Sequence, residues 1–485
     1  MEIMAGKKFE GGYGRRVKLE DCVRSLPGEW PVSLRSQIRK QIKASRCKVV
    51  VLDDDPTGTQ TVHDIPILTE WPVKTLQKEL LNDLPAFYLL TNSRSFTIAQ
   101  AQSMNSEIGR NLVEAAKRAN SRFVVVSRSD STLRGHFPGE VEALVQSLHQ
   151  SFDGWIIMPF FLEGGRYTVE DIHYVDECGW LVPAHKTEYA HDTTFGYHSS
   201  NLRQWIEEKT GGRISSGDVA SISIEDIRQG GPERITAFLL GITGSTVCVV
   251  NAVSYRDLEV FVHGLLAAEA RGKRFIYRTA ASFVQVRAGL LPRRLLSYSD
   301  LHMHEHGGGL IVVGSYVHKT TEQIDALFSL PGIRSLQLDI ADLLDENRHQ
   351  EVITDIAQSA ERELYDGRTV VIYTSRKIAT GKDSESNVII RRRVSEGLIA
   401  IASMISTRPR YIIAKGGITS SDLATKGLGV KRAVVLGQIL PGVPVWRLGP
   451  ESKYPDSPYV VFPGNVGEPG ALVDAVNILE SPRKR

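Results

Sequence analysis

Short apolar runs alternate with longer stretches of helical period along most of the chain. Val49-Val50-Val51-Leu52, Ala86–Leu90, Phe123–Val126 and Trp155–Met158 are continuous apolar runs, several of them β-branched. Such runs predict strands buried on both faces of a parallel sheet. Between them, spaced apolar positions predict helices over Val32–Ala44, Lys74–Leu81, Ile98–Ala119 and Val141–Leu148, and Ile65–Leu68 reads as a short strand. The alternation of strand and helix predicts a doubly wound sheet. From Tyr174 to about Gly244 the pattern loosens. Strands return at Thr246–Val250 and Phe275–Tyr277, with a helix over Leu258–Ala270. Residues 290 to 309, with His302, His304, His306 and three glycines, read as a solvent-exposed connector. A second α/β pattern begins at Leu310. It has strands at Leu310–Val313, Thr369–Tyr373, Tyr411–Ala414 and Pro458–Phe462, and helices over Thr320–Phe328 and Asn387–Ile405.

Polar residues gather where the strands end. The first strand runs into Asp53-Asp54-Asp55-Pro56-Thr57-Gly58, the second into Thr91-Asn92-Ser93-Arg94-Ser95, the third into Ser127 to Gly135, and the fourth into Glu163 to Thr168. Parallel sheets bind ligands outside the carboxyl ends of their strands. Asp54, Asp55, Asn92, Arg94, Asp130, Arg134 and Arg166 are therefore expected to converge. Arginine forks hold carboxylates or phosphates, and aspartates accept from hydroxyls. Such a pocket suits a small hydroxylated acid. Any one of these arginines alone would read as a surface ion pair; four coincidences at strand ends favour a site.

In the second half the strand ends carry glycines and hydroxyls instead: Gly314-Ser315-Tyr316, Thr374-Ser375-Arg376, Lys415-Gly416-Gly417-Ile418-Thr419 and Pro463-Gly464-Asn465. Loops of this kind offer free backbone N–H groups to phosphates, although glycine turns after strands also arise for steric reasons alone. The chain has no GxxxxGK[ST] motif, and no GxGxxG follows a strand.

Composition narrows the setting. The 485 residues suffice for two domains or three, and 42% hydrophobic with 24% charged is ordinary for a globular chain. A net charge of +2 gives no case for nucleic acid or a membrane as partner. Cys22, Cys47, Cys178 and Cys248 are scattered without a CxxC pair, which argues against a zinc site or a disulfide framework. The N-terminal stretch lacks a secretory apolar region, and no run reaches the roughly 18 apolar residues of a membrane span. A cytoplasmic location is expected. His185, His191, Asp192 and His198 have no recognisable ligand spacing and read as loop residues or pocket neighbours.

These motifs together resemble the four-carbon acid sugar kinase family, long catalogued as a domain of unknown function. The family's DDxTG strand end is matched by Asp54-Asp55-Pro56-Thr57-Gly58, and its DSTLRG motif stands unbroken as Asp130 to Gly135. GR-x-T is matched by Gly165 to Thr168, the GS turn by Gly314-Ser315, and GG-x-T by Gly416 to Thr419. Its SGNFG loop is matched by Pro463 to Gly467. The resemblance spans roughly 47 to 478. It departs at Arg128, where the family often has lysine, and at Phe462-Pro463, where Lys-Ser is usual.

The resemblance implies an α/β fold of two domains, each a mostly parallel sheet flanked by helices, with the active site in the cleft between them. Residues 1 to 45 would be a lead-in, 46 to 300 a sugar-acid-binding domain and 301 to 485 a nucleotide-binding domain. It implies ATP-dependent phosphorylation, with Mg²⁺, of threonate, erythronate or 3-oxo-tetronate on a terminal hydroxyl. Asp54, Asp55 and Asp130 would be catalytic, with Mg²⁺ arriving on ATP and touching Asp54 or Asp55. Asn92, Arg94, Arg134, Gly135 and Arg166 would bind the acid. Ser315, Lys415, Gly416, Gly417, Ile418, Thr419, Gly464 and Asn465 would bind ATP. The partner is a small-molecule acid, with a homodimer left open. The rival readings are a lyase or aldolase acting on similar acids and a non-catalytic sugar-acid or nucleotide sensor.

Overall fold

The computed structural model describes residues 15–315, 317–375, 384–464 and 466–480. Tyr316, Arg376 and Asn465 lie outside them. The chain forms two compact units, one of residues 1–54 and 71–292, the other of 55–70 and 293–485. The boundary falls inside the acidic turn, between Asp54 and Asp55.

Among the described residues the first unit is built on seven parallel strands. Their order is Ala220–Ile222, Thr246–Val250, Gly154–Met158, Phe275–Thr279, Arg122–Arg128, Cys47–Asp53 and Ala86–Leu90. Cys47–Asp53 lies between the next two strands of the unit's sequence, so the connections leave it in opposite directions. This is the switch point at which α/β sheets open a crevice. The register aligns the polar ends: Asp53 pairs with Leu90 on one side and Arg128 on the other, and Arg128 pairs with Thr279. Val49, Val50 and Val51 are fully buried, as a run covered on both faces requires.

An antiparallel sheet that the apolar pattern did not signal reaches into the loose region: Val17–Lys18, Trp180–Pro183, Ile172–Glu177 and Arg166–Val169. The lead-in belongs to the same unit, with helices Leu19–Ser25 and Arg35–Ser45. Arg35 pairs with the buried Glu259 at 2.8 Å.

Among the described residues the second unit carries eight strands in the order Ile65–Leu68, Arg432–Leu440, Val443–Leu448, Pro458–Phe462, Ile412–Lys415, Leu310–Val313, Thr369–Thr374 and Ile333–Leu338. The first three pairings are antiparallel and the last four parallel. Its core packs Ile311, Val313, Ile413, Val460 and Phe462 against Leu472, Val476 and Leu479 of helix Ala471–Glu480. The predicted connector is only partly exposed. His302, His304 and His306 face solvent, but Gly308 and Gly309 are buried. A Cβ on Gly308 would fall 1.8 Å from the Arg368 carbonyl, and one on Gly309 would fall 2.1 Å from the Tyr411 ring. These glycines are required by close packing rather than by flexibility.

Candidate functional site

In the first unit the strand ends build a partly buried ion network. Arg128 Nη1 lies 3.1 Å from Asp53 Oδ1 and 2.9 Å from Asp54 Oδ1. Arg94 Nε stands 3.3 Å from the other Asp54 oxygen, and its Nη1 is 3.8 Å from Asp130. The Asp130 backbone N–H donates to Asp54 Oδ2 at 3.3 Å, which joins the first and third strand ends directly. Arg134 Nε binds Asp130 Oδ2 at 2.7 Å, and the Thr132 hydroxyl donates to the same oxygen. The DSTLRG turn is tight enough to put Leu133 at φ +71° and Gly135 at φ +121°. The Leu133 conformation is uncommon for a bulky residue and is kept where surrounding contacts fix it. Tyr197 donates to Thr132 O at 2.8 Å, and His173 Nε2 is 2.7 Å from Ser131 O.

Burial alone would raise the Asp130 carboxyl, but Arg134 and Arg94 outweigh it and hold Asp130 well below the usual carboxylate range. Asp130 is therefore a fixed anion near neutrality. Two groups that the strand-end reading did not select as site residues complete the network. Glu140, in the first turn of helix Gly139–Ser147, is buried beside Ser93, Asp54, Arg278 and Arg94. Burial pushes its carboxyl up to about 7, and Oε1 has no hydrogen-bond partner among the described residues. Arg278, at the end of its strand, donates to Arg134 O at 3.3 Å and lies over Phe137 and Trp205 at 5.1 and 5.0 Å. Burial pulls its guanidinium down to about 10, against the pull of Asp54, Glu140 and Asp130. Arg278 carried the same strand-end signal as Arg94 and could have been found by it. Glu140 carried no such signal, because an acid in a first helical turn reads as a partner of the helix dipole.

The other predicted residues are placed as follows. Asn92 starts the turn after the second strand at φ +49°. Arg166 opens the antiparallel sheet, donates to Gly164 O, and lies over the Tyr189 ring at 5.4 Å. A Cβ on Gly135 would sit 3.4 Å from Asp54 Oδ2, so the turn passes closely over the carboxylate. Asp55 is grouped with the second unit. It caps the turn Pro56–Thr59, accepting from the Thr57 N–H and hydroxyl at 2.8 and 2.6 Å. Asp192 lies 3.8 Å from Arg134. Among the described residues, no three His, Cys, Asp or Glu side chains are grouped to hold a metal ion.

In the second unit Val313, Lys415 and Phe462 stand in register, so the loops after three adjacent strands begin at one level. They are tied together. Thr320 Oγ1 is within hydrogen-bond distance of Ser315 Oγ and Gly464 O, both at 3.0 Å. Gln323 Nε2 donates to the Val466, Gly467 and Glu468 carbonyls. Gly416 has φ +113° and precedes helix Gly417–Asp422. A Cβ on Gly314 would fall 2.3 Å from Thr419 Oγ1. One on Gly417 would fall 3.0 Å from Asp55 Oδ2, and one on Gly464 would fall 3.0 Å from Ser315 Oγ. Such a cradle leaves backbone open to a phosphate chain. Ile418 is exposed at its rim. Lys415 is buried, and its Nζ donates to Pro463 O at 2.7 Å and to Gly464 O at 3.4 Å. Burial and the nearby Lys319 push it down to about 7.

Comparison with known proteins also gives two domains, although the first match takes in residues 55–70, which the structure groups with the second unit. Residues 49–287 match a family model described as a sugar-binding N-terminal domain, and residues 310–472 match one described as a nucleotide-binding C-terminal domain. The protein is thus of the class that joins a sugar-binding to a nucleotide-binding domain. It belongs to the four-carbon acid sugar kinase family. No curated protein matches it. Two solved structures share the fold. One, from Salmonella typhimurium LT2, carries the working description of a tRNA synthase; it is 17% identical, with a TM-score of 0.63 over 88% of this chain and 98% of its own. The other is a Haemophilus influenzae protein with a domain of unknown function; it is 18% identical, with a TM-score of 0.59 over 89% of this chain and 100% of its own. No helix among the described residues is long and apolar enough to cross a membrane.

Proposed function

We propose that the protein is an ATP-dependent kinase of a small hydroxylated acid, of the size of threonate, erythronate or 3-oxo-tetronate. The observation that carries this is the network of the half-buried Arg94 and Arg134 and the buried Arg128 and Arg278 around Asp54, Asp130 and Glu140, on one chain with a glycine-lined cradle. Arg134 and Arg166 bind the carboxylate and hydroxyls of the acid. Asp130, held ionised, orients Arg134 and Arg94. Glu140, with a carboxyl near 7, accepts the proton of the attacking hydroxyl, a role that favours a group titrating near the working pH. Asp54, fixed by two arginines, positions the turn.

Ser315, Gly416, Gly417, Thr419 and Gly464 hold the nucleotide phosphates, and Lys415 holds the loop that carries Gly464. The glycine cradle beside Asp55 fits a Mg-nucleotide: Asp55 would share the ion with the phosphates, and the ion would neutralise charge on them. Phosphoryl transfer needs positioning and charge neutralisation more than covalent chemistry, and these residues supply both.

Phosphorus NMR of the protein with Mg-ATP and a four-carbon aldonate tests the reading. A new phosphate monoester signal on the acid is expected, and its absence for every acid of the class would overturn it. A sensor that binds both ligands without turnover is the second reading. It is favoured by Phe462, which stands where the family usually has a lysine.

A further inference from the structure

The segment from Ala184 to Ser200 belongs to no sheet and carries no motif used so far, yet it is fastened to the acid-binding network at several points. Tyr197 donates to Thr132 O inside the DSTLRG turn. The Asp192 carboxylate is 3.8 Å from Arg134 Nη1, and it also accepts from the backbone N–H groups of Thr194 and Phe195 at 2.9 and 3.0 Å. Phe195 packs edge-on against His136, the residue after the turn, at 4.9 Å. A Cβ on Gly196 would meet the Asp192 and Ala190 carbonyls at 2.7 and 2.9 Å, so the strap is tightly folded there. From this strap Tyr189 places its ring against both arginines assigned to the acid: Arg134 Cζ is 5.1 Å and Arg166 Cζ 5.4 Å from its centroid.

Two flexible guanidinium groups held against one aromatic ring lose freedom together. Their reach is then set by the ring rather than by the bound acid. We propose that Tyr189, held by the 184–200 strap and Asp192, is the size selector of the site. It fixes Arg134 and Arg166 at a spacing that admits a short hydroxylated monocarboxylate of about four carbons and disfavours five- and six-carbon homologues. This rests on the kinase reading for its substrate class. Tyr189 acts through the arginines and is a positioning residue.

The test compares Tyr189→Phe, Tyr189→Ala and Asp192→Asn with the unaltered protein. Binding of four-, five- and six-carbon aldonates is measured calorimetrically without nucleotide, and KM and kcat are measured with Mg-ATP. Melting curves confirm that each variant is folded. Tyr189→Phe, which keeps the ring, should retain the unaltered preference. Tyr189→Ala should weaken binding of the four-carbon acid by about 10-fold, with that loss in KM rather than kcat, and should narrow the gap to the longer acids. Asp192→Asn should do the same to a smaller degree. An unchanged ranking of the acids in Tyr189→Ala, or an equal loss in Tyr189→Phe, would overturn the proposal, as would binding of no acid by the unaltered protein. If acids bind with the predicted ranking but none is phosphorylated, the kinase reading fails and the selector stands.

Discussion

The Nζ of Lys415 lies 4.2 Å above the ring of Phe462, and both side chains are fully buried. The residue that stands in place of the family's usual lysine thus forms an apolar seat for another lysine. Lys415 is neutral for much of its time above pH 7, because burial and Lys319 lower it to about 7. A polyphosphate in the adjoining cradle would favour the charged form and raise the value again.

Nucleotide binding should therefore take up a proton at pH 8, approaching one per site, and almost none at pH 6, where Lys415 is already charged in both states. Calorimetry in two buffers of different ionisation enthalpy measures this directly. Lys415→Met should remove the uptake at pH 8. Uptake that is the same in that variant would detach the lysine from the nucleotide.

Glu140 should show opposite effects on stability and activity. Its carboxyl is raised from the ordinary 4.5 to about 7, so folding favours the protonated form. That contribution is fully present below about pH 4.5 and is lost as the pH rises through 7. Glu140→Gln should accordingly be stabilised relative to the unaltered protein at pH 8, by about 3 kcal/mol at most, and be nearly equal to it at pH 4.5. Its turnover should fall roughly 100-fold or more if Glu140 is the proton acceptor, and the acid limb of the pH–rate profile near 7 should disappear. Thermal melts at the two pH values and a rate profile decide both points.

Much of this organisation was legible in the chain. Ala86–Leu90, Thr246–Val250, Leu310–Val313 and Pro458–Phe462 are strands at the limits their apolar runs predicted, because buried parallel strands need no alternation. Helix Ile98–Ala119 also matches, closed by a capping box of Thr97 and Gln100. The elements missed are those whose burial is one-sided or local. Ile333–Leu338 is an edge strand with exposed Arg334, Ser335 and Gln337, and its sequence resembles a loop. The hairpin strands Arg432–Leu440 and Val443–Leu448 were hidden in a glycine- and proline-rich context. The strand-end rule found Asp54, Arg94, Asp130 and Arg134 because the fold itself brings strand ends together. It missed Glu140 and Tyr189, which a helix turn and a strap deliver from elsewhere, and no spacing in one sequence records such contacts.

Arg134→Ala should cut turnover roughly 100-fold or more, with a smaller loss in Arg134→Lys than in the alanine variant, since lysine restores charge without the fork. Asp130 keeps Arg94 and Thr132 as partners, so the fold should survive with a stability loss of about 1–2 kcal/mol. Steady-state rates and melting curves of the three proteins test this. Near-normal turnover in Arg134→Ala would remove it from the acid site.

Gly417→Ala would bring a methyl group to 3.0 Å from Asp55 Oδ2, at the start of helix Gly417–Asp422. ATP affinity should drop about 10-fold or more while acid affinity stays unchanged. Paired calorimetric titrations with ATP and with a four-carbon aldonate would show this. Equal loss of both ligands would point to a folding defect instead.

The most direct test of the central claim is a coupled ADP-release assay. The unaltered protein is run with Mg-ATP against four-carbon aldonates, their 2- and 3-oxo forms, and five- and six-carbon acids. ADP release that depends on the acid, greatest for a four-carbon member, with the phosphate recovered on that acid, is the predicted result. Binding of ATP and acid with no ADP released across the panel would contradict it and leave a sensor in its place.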